Sequence, residues 1–518
     1  MTIKTKGVVA AGDPLTAEAG AEILRIGGNA YDAAIAATWM SFVASSTITS
    51  AGGGGFLLAA PAQGKKVLFD FFVQTPLAKR QDDNINFYPV TVDFGDKTQE
   101  FHVGMAAAAT PGNVAGLFEV HRRLGSIPMT EIVQPAIEAA RAGVHLHKQT
   151  KYQVDILEPI LTASIEGRNM YTKDGKPASL NDIVRMPHYA DLLEYIAQNG
   201  PGEFYKGEVA QHVVSACKER GGYLTLDDFL NYEVILRKPL EFSYRDYGVA
   251  TTPPPNAGGP LIAFLLKLLE NERLRVEDYG MRKHLSWLTR GIILTARARE
   301  ERLESLIHDP DLIKHLMDPG YLQQMQQMLN HSVNKPGNTT HVSVVDGNKN
   351  IASVTTSVGE GCGYIIPGTD IMLNNMLGEE DLNKNGFHQW VPDKRINSMM
   401  APTILSRSGQ AMMGLGSGGS NRIRSAIVQA ITNFVDFHLD YDDVVNKPRI
   451  HWENGHLDIE PGFDPEEVEL IELPDGDKKF FWSEKNMYFG GVHAVFVDDK
   501  GGLHGAGDRR RAGSVAEA

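Results

Sequence analysis

Residues 339 to 357 constrain this chain more than any other stretch. Val342, Val344 and Val345 lead into the turn-forming run Asp346-Gly347-Asn348-Lys349-Asn350, and Ile351, Val354 and the Thr355-Thr356 pair follow it. β-Branched residues on both sides of such a turn predict a buried hairpin. Alternation along its first strand puts Thr339, His341 and Ser343 on one face and Thr340, Val342 and Val344 on the other. Lys335-Pro336-Gly337-Asn338 reads from its composition as a flexible approach to Thr339 at the strand's expected mouth. Taken alone, a Thr-Thr pair at that place is good β-propensity and no more.

A hairpin this apolar needs a core around it, and 518 residues with 42% hydrophobic and 22% charged residues supply a large one or several. The formal net charge is -14 and the basic residues are spread through the chain, which argues against nucleic acid as a partner. Arg509-Arg510-Arg511, the clearest basic cluster, reads as a solvated or salt-bridged tail. Two cysteines, Cys217 and Cys362, exclude a disulfide framework and a multi-cysteine metal site, and suit a reducing compartment. No signal-like apolar segment opens the chain and no apolar run of about 18 residues occurs, so no membrane partner is expected. The expected location is cytoplasmic, or periplasmic or secreted if a signal has been removed.

Earlier in the chain, Val8 to Ala11 reads as a strand. Asp13-Pro14 starts a helix that Gly27-Gly28-Asn29 closes, and Ala33 to Val43 is a second, Ala-rich helix for close packing. Gly52 to Gly55 can cradle an anion or let two backbones touch; a phosphate loop is excluded because Phe56-Leu57-Leu58, not Lys-Ser or Lys-Thr, follows. His145 and His147 have metal-pair spacing on a strand, but with no third ligand in view a solvated loop is the expectation. Thr225 before Asp227-Asp228 reads as a helix cap, and Pro253 to Gly259 breaks the chain before an apolar helix from Leu261 to Leu269. Gly414-Leu415-Gly416-Ser417-Gly418-Gly419 satisfies G-x-G-x-x-G as a turn between a strand and a helix, with Asp436 and Asp440 beyond it. No second apolar strand carries either acid, so a dinucleotide site is disfavoured; what remains is a set of unhindered N–H groups for an anion or an oxyanion.

The ordered blocks resemble the γ-glutamyltranspeptidase (glutathione hydrolase) family of N-terminal nucleophile hydrolases. Thr339 to Asp346 matches its T-T-H-x-S-V-V-D block. GVVAAGDPLTAEAG, GGGGF, ATPGNVAGL, GGYLTLDDFLNYEV, TPPPNAGG, RINSMMAPT, LGSGGSNRI and GAGDRRRAG follow the family's order over nearly the whole chain. The resemblance implies an α+β fold: an αββα sandwich, two stacked antiparallel sheets between helical layers. It also implies cleavage between Asn338 and Thr339 into a large subunit, 1–338, and a small one, 339–518. These would pair as a heterodimer, alone or within a higher oligomer. The chemistry needs no cofactor and no metal. Cleavage gives Thr339 a free α-amine of pKa about 8, a usable base for its own weakly nucleophilic hydroxyl. A hydroxyl on the return strand, here Ser357, would bond the nucleophile, and N–H groups among Gly418, Gly419 and Ser420 would hold the oxyanion.

Substrate anchoring departs from the family. Phe72 stands where its D-F-R-E-T-x-P block carries the arginine that grips the substrate carboxylate, and a phenyl ring makes no such bidentate pair. The paired serines read Ser398-Met399, an expected asparagine falls at Gly359, and the acid for the substrate amine is Glu379, Glu380 or Asp381. Three readings follow. The first is a γ-glutamyl amide hydrolase or transferase acting on compounds such as glutathione, with water or an amine as acceptor and another arginine, such as Arg80, as the grip. The second is an amidase of the same mechanism on a non-glutamyl substrate, oxamate-like or acyl-cephalosporin-like. The third, an uncleaved binding protein, stands against the intact nucleophile block.

Overall fold

The computed structural model describes residues 6–80, 84–93, 98–326, 339–383 and 386–518. Among them, thirteen strands build two central sheets, antiparallel throughout. Numbered in chain order, the first sheet holds β1 (Gly7–Ala11), β2 (Gly54–Ala60), β3 (Val67–Phe71), β4 (Ile235–Arg237), β7 (Thr340–Asp346), β8 (Ile351–Ser357) and β13 (Ser514–Glu517). The second holds β5 (Leu240–Tyr244), β6 (Tyr247–Thr251), β9 (Thr403–Arg407), β10 (Gln410–Gly418), β11 (Gly491–Val497) and β12 (Leu503–Ala506). The spatial orders are 4-3-2-8-7-1-13 and 5-6-9-10-11-12.

The predicted hairpin is the middle of the first sheet, β7 pairing β8 with Thr340 opposite Thr356. Its alternation is as read: Val342 and Val344 face one hydrophobic cluster and Val345 the other. The first cluster includes α1 (Pro14–Ile26) and α2 (Ala30–Ala44). Asp13 caps α1 by accepting from the Leu15 N–H, and Gly27, at φ 107°, closes it by donating to Ile23 and Leu24. Every residue of α2 is buried, as its alanine content requires. The second cluster joins the sheets to α3 (Gly258–Leu269), α4 (Arg282–Ala298) and α5 (Arg422–Val435). The result is the expected αββα sandwich. Among the described residues no helix is long and apolar enough to cross a membrane.

Two sequence expectations change here. The G-x-G-x-x-G run is no turn: Gly414, Gly416 and Gly418 lie within β10, and the chain turns only at Gly419 and Ser420. Cβ atoms on Gly414 and Gly416 would come within 2.5 Å of Ile351 Cγ2 and 2.3 Å of the His341 ring, so these glycines let the sheets approach. The four-glycine run likewise serves backbone contact, since a Cβ on Gly53 would lie 2.1 Å from the Ser357 carbonyl oxygen. Of the histidine pair, His145 bonds the Asn181 carbonyl at 2.9 Å, whereas His147 caps the helix Lys148–Leu161 and reaches Asp13 Oδ2 at 3.0 Å.

Buried imidazoles make this core acid-labile. Burial pushes His284 and His493 down from 6.5 to about 4. Between those values the unfolded chain binds protons that the folded chain refuses, so stability falls as pH falls. The expected loss from pH 7 to pH 5 is about 2 kcal/mol for each of the two, read as a lower urea midpoint. Replacing His284 with Gln removes its own share, about 2 kcal/mol, and leaves those of His493 and of His341 and His451, which burial also lowers.

Candidate active site

Thr339 is 5% exposed at the mouth of β7 and lies between two cavities. The open one also has Ser357, Ser398 and Ser420 on its wall, together with Phe72, Met376, Leu382, Met399, Met400 and Ile423. Its empty space is about 330 Å³, solvent at its mouth included. The structure therefore brings Thr339, Ser357, Phe72, Glu379, Ser398 and Ser420 together as expected. Asn338 lies outside the described residues.

Ser357 ends β8 opposite Gly54, and its Oγ accepts from the Gly359 N–H at 2.9 Å. Gly418 lies against the nucleophile: a Cβ there would be 2.1 Å from the Thr339 carbonyl oxygen. Gly419 at φ 116° and Ser420 at φ 47° turn the chain into α5, so a helix N-terminus with its partial positive charge begins at the pocket.

The three candidate acids separate. Glu380 is exposed. Asp381 accepts from Ser420 Oγ at 2.8 Å and from Asn421 Nδ2 at 3.1 Å, so it buttresses the turn. Glu379 alone of the three lines the pocket, and its Oε1 is buried with no hydrogen-bond partner among the described residues. Burial first, then Glu360 and Asp381, push its carboxyl well above the usual carboxylate range. Gly359, at φ 68°, has no room for the asparagine the family would place there: its Cβ would meet Asn375 Oδ1 at 2.1 Å and Glu379 Oε1 at 2.4 Å.

Among the described residues no arginine lines the pocket to replace the missing grip. Arg80 donates to the carbonyls of Cys217 and Gly222 at 3.1 Å each and does not line the pocket. Phe72 is 1% exposed and stacks on Phe56 with centroids 5.5 Å apart. Behind it Arg395 donates to the Phe72 carbonyl, to Tyr232 Oη at 2.7 Å and to the Glu233 carbonyl at 2.6 Å, with Nε 3.4 Å from Asp70 Oδ1. This buried cation holds main chain. Ser398 Oγ accepts from the Met400 N–H at 3.1 Å, and Met399 supplies wall.

The second cavity backs onto the nucleophile and is lined by His147, His341, His493 and Arg511. His341 is buried between Thr355 Oγ1 at 2.8 Å and Ser343 Oγ at 2.9 Å, and Ser343 Oγ donates to the His493 carbonyl at 3.1 Å. His341 Nε2 therefore donates to Ser343, Nδ1 accepts from Thr355, and the ring is neutral, in line with a pKa driven well below 6.5 by burial. Sequence reasoning missed Arg511, whose Nη1 donates to the Thr339 carbonyl at 3.1 Å. The basic run was its only signal. Arg509 pairs with Asp442 at the surface as a tail residue would, whereas Arg510 is buried between Glu460 and Asp508.

Fold and site define the class: an N-terminal nucleophile hydrolase, with a threonine leading a central strand of an αββα sandwich. The chain belongs to the gamma-glutamyltranspeptidase family, whose sequence profile matches residues 16–518. It is 29% identical over 544 residues to a glutathione hydrolase proenzyme of Escherichia coli, covering 98% of this chain and 90% of that one. It is 29% identical over 538 residues to an acylase ACY 1 proenzyme of a Pseudomonas species, covering 98% and 93%. In fold it matches the crystal structure of a cephalosporin acylase from Bacillus halodurans with a TM-score of 0.85 at 23% identity, over 99% of this chain and 96% of that one.

Proposed function

We propose that this chain is a proenzyme that cuts itself between Asn338 and Thr339, and that the paired fragments 1–338 and 339–518 form an amidase for acyl groups without a carboxylate at the recognition end. Glutathione hydrolase and acylase proenzymes among its relatives support the cleavage. In the cycle, Thr339 Oγ attacks the amide carbonyl while its proton passes to the Thr339 α-amine. The tetrahedral oxyanion rests on N–H groups of the 418–420 turn, the amine leaves, and water or an acceptor amine releases the acyl ester.

One observation carries the substrate reading: the described pocket wall combines Phe72 and Met399 with a single acid, Glu379, whose Oε1 is buried, and contains no Lys, Arg or His. A carboxylate placed against that wall loses its hydration without a cation in return, which costs several kcal/mol. An ammonium group, by contrast, would find in Glu379 a carboxyl whose ionised form it favours. The relatives named glutathione hydrolases favour the other reading, γ-glutamyl amides.

Three p-nitroanilides separate the two: γ-glutamyl, 4-aminobutyryl, which is the same acyl group without its carboxylate, and plain butyryl. On cleaved protein, kcat/KM for 4-aminobutyryl should exceed that for γ-glutamyl by at least about tenfold, the reverse of what an arginine grip would give. Glu379→Gln should bring 4-aminobutyryl down toward butyryl. Faster turnover of the γ-glutamyl compound would return the protein to glutathione-type hydrolysis.

A further inference from the structure

The contact between Arg511 and the nucleophile's own main chain leads beyond substrate choice. Arg511 is buried, with Nη1 3.1 Å from the Thr339 carbonyl oxygen and Nη2 3.3 Å from the Met487 carbonyl oxygen. Its Nε is buried without a hydrogen-bond partner among the described residues, and Arg511 makes no salt bridge there. The nearby carboxylate of Asp508 is already held by Arg449 at 2.7 Å and Arg510 at 3.0 Å. Glycines form the slot for the guanidinium. A Cβ on Gly491 would lie 2.3 Å from Arg511 Cδ, and one on Gly418 would lie 3.2 Å from Nη1.

We propose that Arg511 is a positioning residue that fixes the Thr339 main chain and, as a buried and incompletely neutralised cation, keeps the α-amine of Thr339 unprotonated at neutral pH. The proposal rests on the self-cleavage reading, because only cleavage creates that amine. Amine nitrogen and carbonyl oxygen of one residue lie roughly 3 Å apart, which puts the nearer guanidinium nitrogen within about 6 Å of the amine. A like charge at that range disfavours the protonated form by about one unit or more. The amine must be neutral to take the proton from Oγ, so lowering its pKa from about 8 raises the competent fraction at pH 7.

Among the described residues that line the two cavities beside Thr339, no other supplies a comparable cation. His341 and His493 face it from the back cavity and are neutral at pH 7, their pKa values depressed by burial. His147 sits 3.0 Å from Asp13 Oδ2. Glu379 lies across the open pocket and is an acid, its carboxyl raised well above the usual carboxylate range by burial first, so it adds no cation. Arg511 itself, pushed down to about 10 by burial and by Arg422, stays charged through the working range.

Carbamylation of the wild-type Thr339 amine by cyanate, followed by mass spectrometry of the small fragment across pH, reports the neutral fraction directly. An apparent pKa below about 7 is expected, and a value of about 8 or above overturns the proposal. In Arg511→Met the amine titration and the acid limb of kcat/KM both move up by about one unit, so activity at pH 6 falls about tenfold and the deficit shrinks as pH rises. Arg511→Lys keeps the acid limb near wild type. A variant limb that stays in place while activity drops equally at every pH reduces Arg511 to a structural role. If Arg511→Met does not fold, the wild-type titration decides. A wild-type chain seen as one uncleaved band on a gel removes the self-cleavage reading itself, before any titration.

Discussion

Thr339→Ala runs as one full-length band where the wild type runs as two, and its amide hydrolysis is lower by at least about four orders of magnitude. Both effects come from one atom. Oγ is the nucleophile in chain cleavage and in turnover, and alanine offers neither a hydroxyl to attack with nor a chain break to free the amine. The fold should survive. Thr339 precedes β7, whose pairing begins at Thr340 opposite Thr356, so the truncation removes no sheet partner. Thr339→Ser separates the steps: it cleaves and turns over, at reduced rate, because the hydroxyl and the amine remain. A two-band pattern from Thr339→Ala would place the cleavage chemistry elsewhere. A full-length wild type across several buffers would remove the enzymatic cycle proposed for this chain.

Gly416→Ala costs about 3 kcal/mol or more and lowers the urea midpoint accordingly. The added methyl would sit 2.3 Å from His341 Cε1 and 2.4 Å from its Nδ1. That ring cannot swing away without breaking its bonds to Thr355 and Ser343, and both sheets are pinned around it. The strain therefore reaches the strand that carries Thr339, and cleavage slows as well. By comparison Gly409→Ala, at a turn where a Cβ meets nothing within 4 Å but φ is 81°, pays only the backbone cost of about 1 kcal/mol. Equal losses at the two positions would mean that sheet spacing does not limit residue 416.

The hairpin, the caps of α1 and the buried α2 were legible because each depends on residues close in sequence. Spacing of two or of three to four decides which face is apolar, and Asp13 and Gly27 act within a turn of their own helix. The glycines of β10 were misread for the same reason. Their pattern matches a phosphate turn locally, while their actual neighbours, Ile351 and His341, lie some 60 to 75 residues earlier on the facing sheet.

The pocket divides along that line. Phe72 and Met399 announced the loss of a carboxylate grip without any coordinates, since no conformation of phenyl or thioether replaces a guanidinium. A compensating arginine is not legible in the sequence, and the fold turns Arg80 away from that role by engaging it with the Cys217 and Gly222 carbonyls. Among three adjacent acids only the fold separates Glu379, which lines the pocket, from Asp381, more deeply buried and bound to Ser420 and Asn421, and Glu380, in solvent.

The sequence by itself determined the chemistry that one residue type can perform at one place: a threonine leading a buried strand, flanked by the family's ordered blocks, with the arginine grip absent. The tertiary structure decided what surrounds that threonine. Arg511 from the end of the chain reaches the Thr339 carbonyl, and the Glu379 carboxyl is raised above the usual carboxylate range, because desolvation and charge act through space between residues that the chain order keeps far apart.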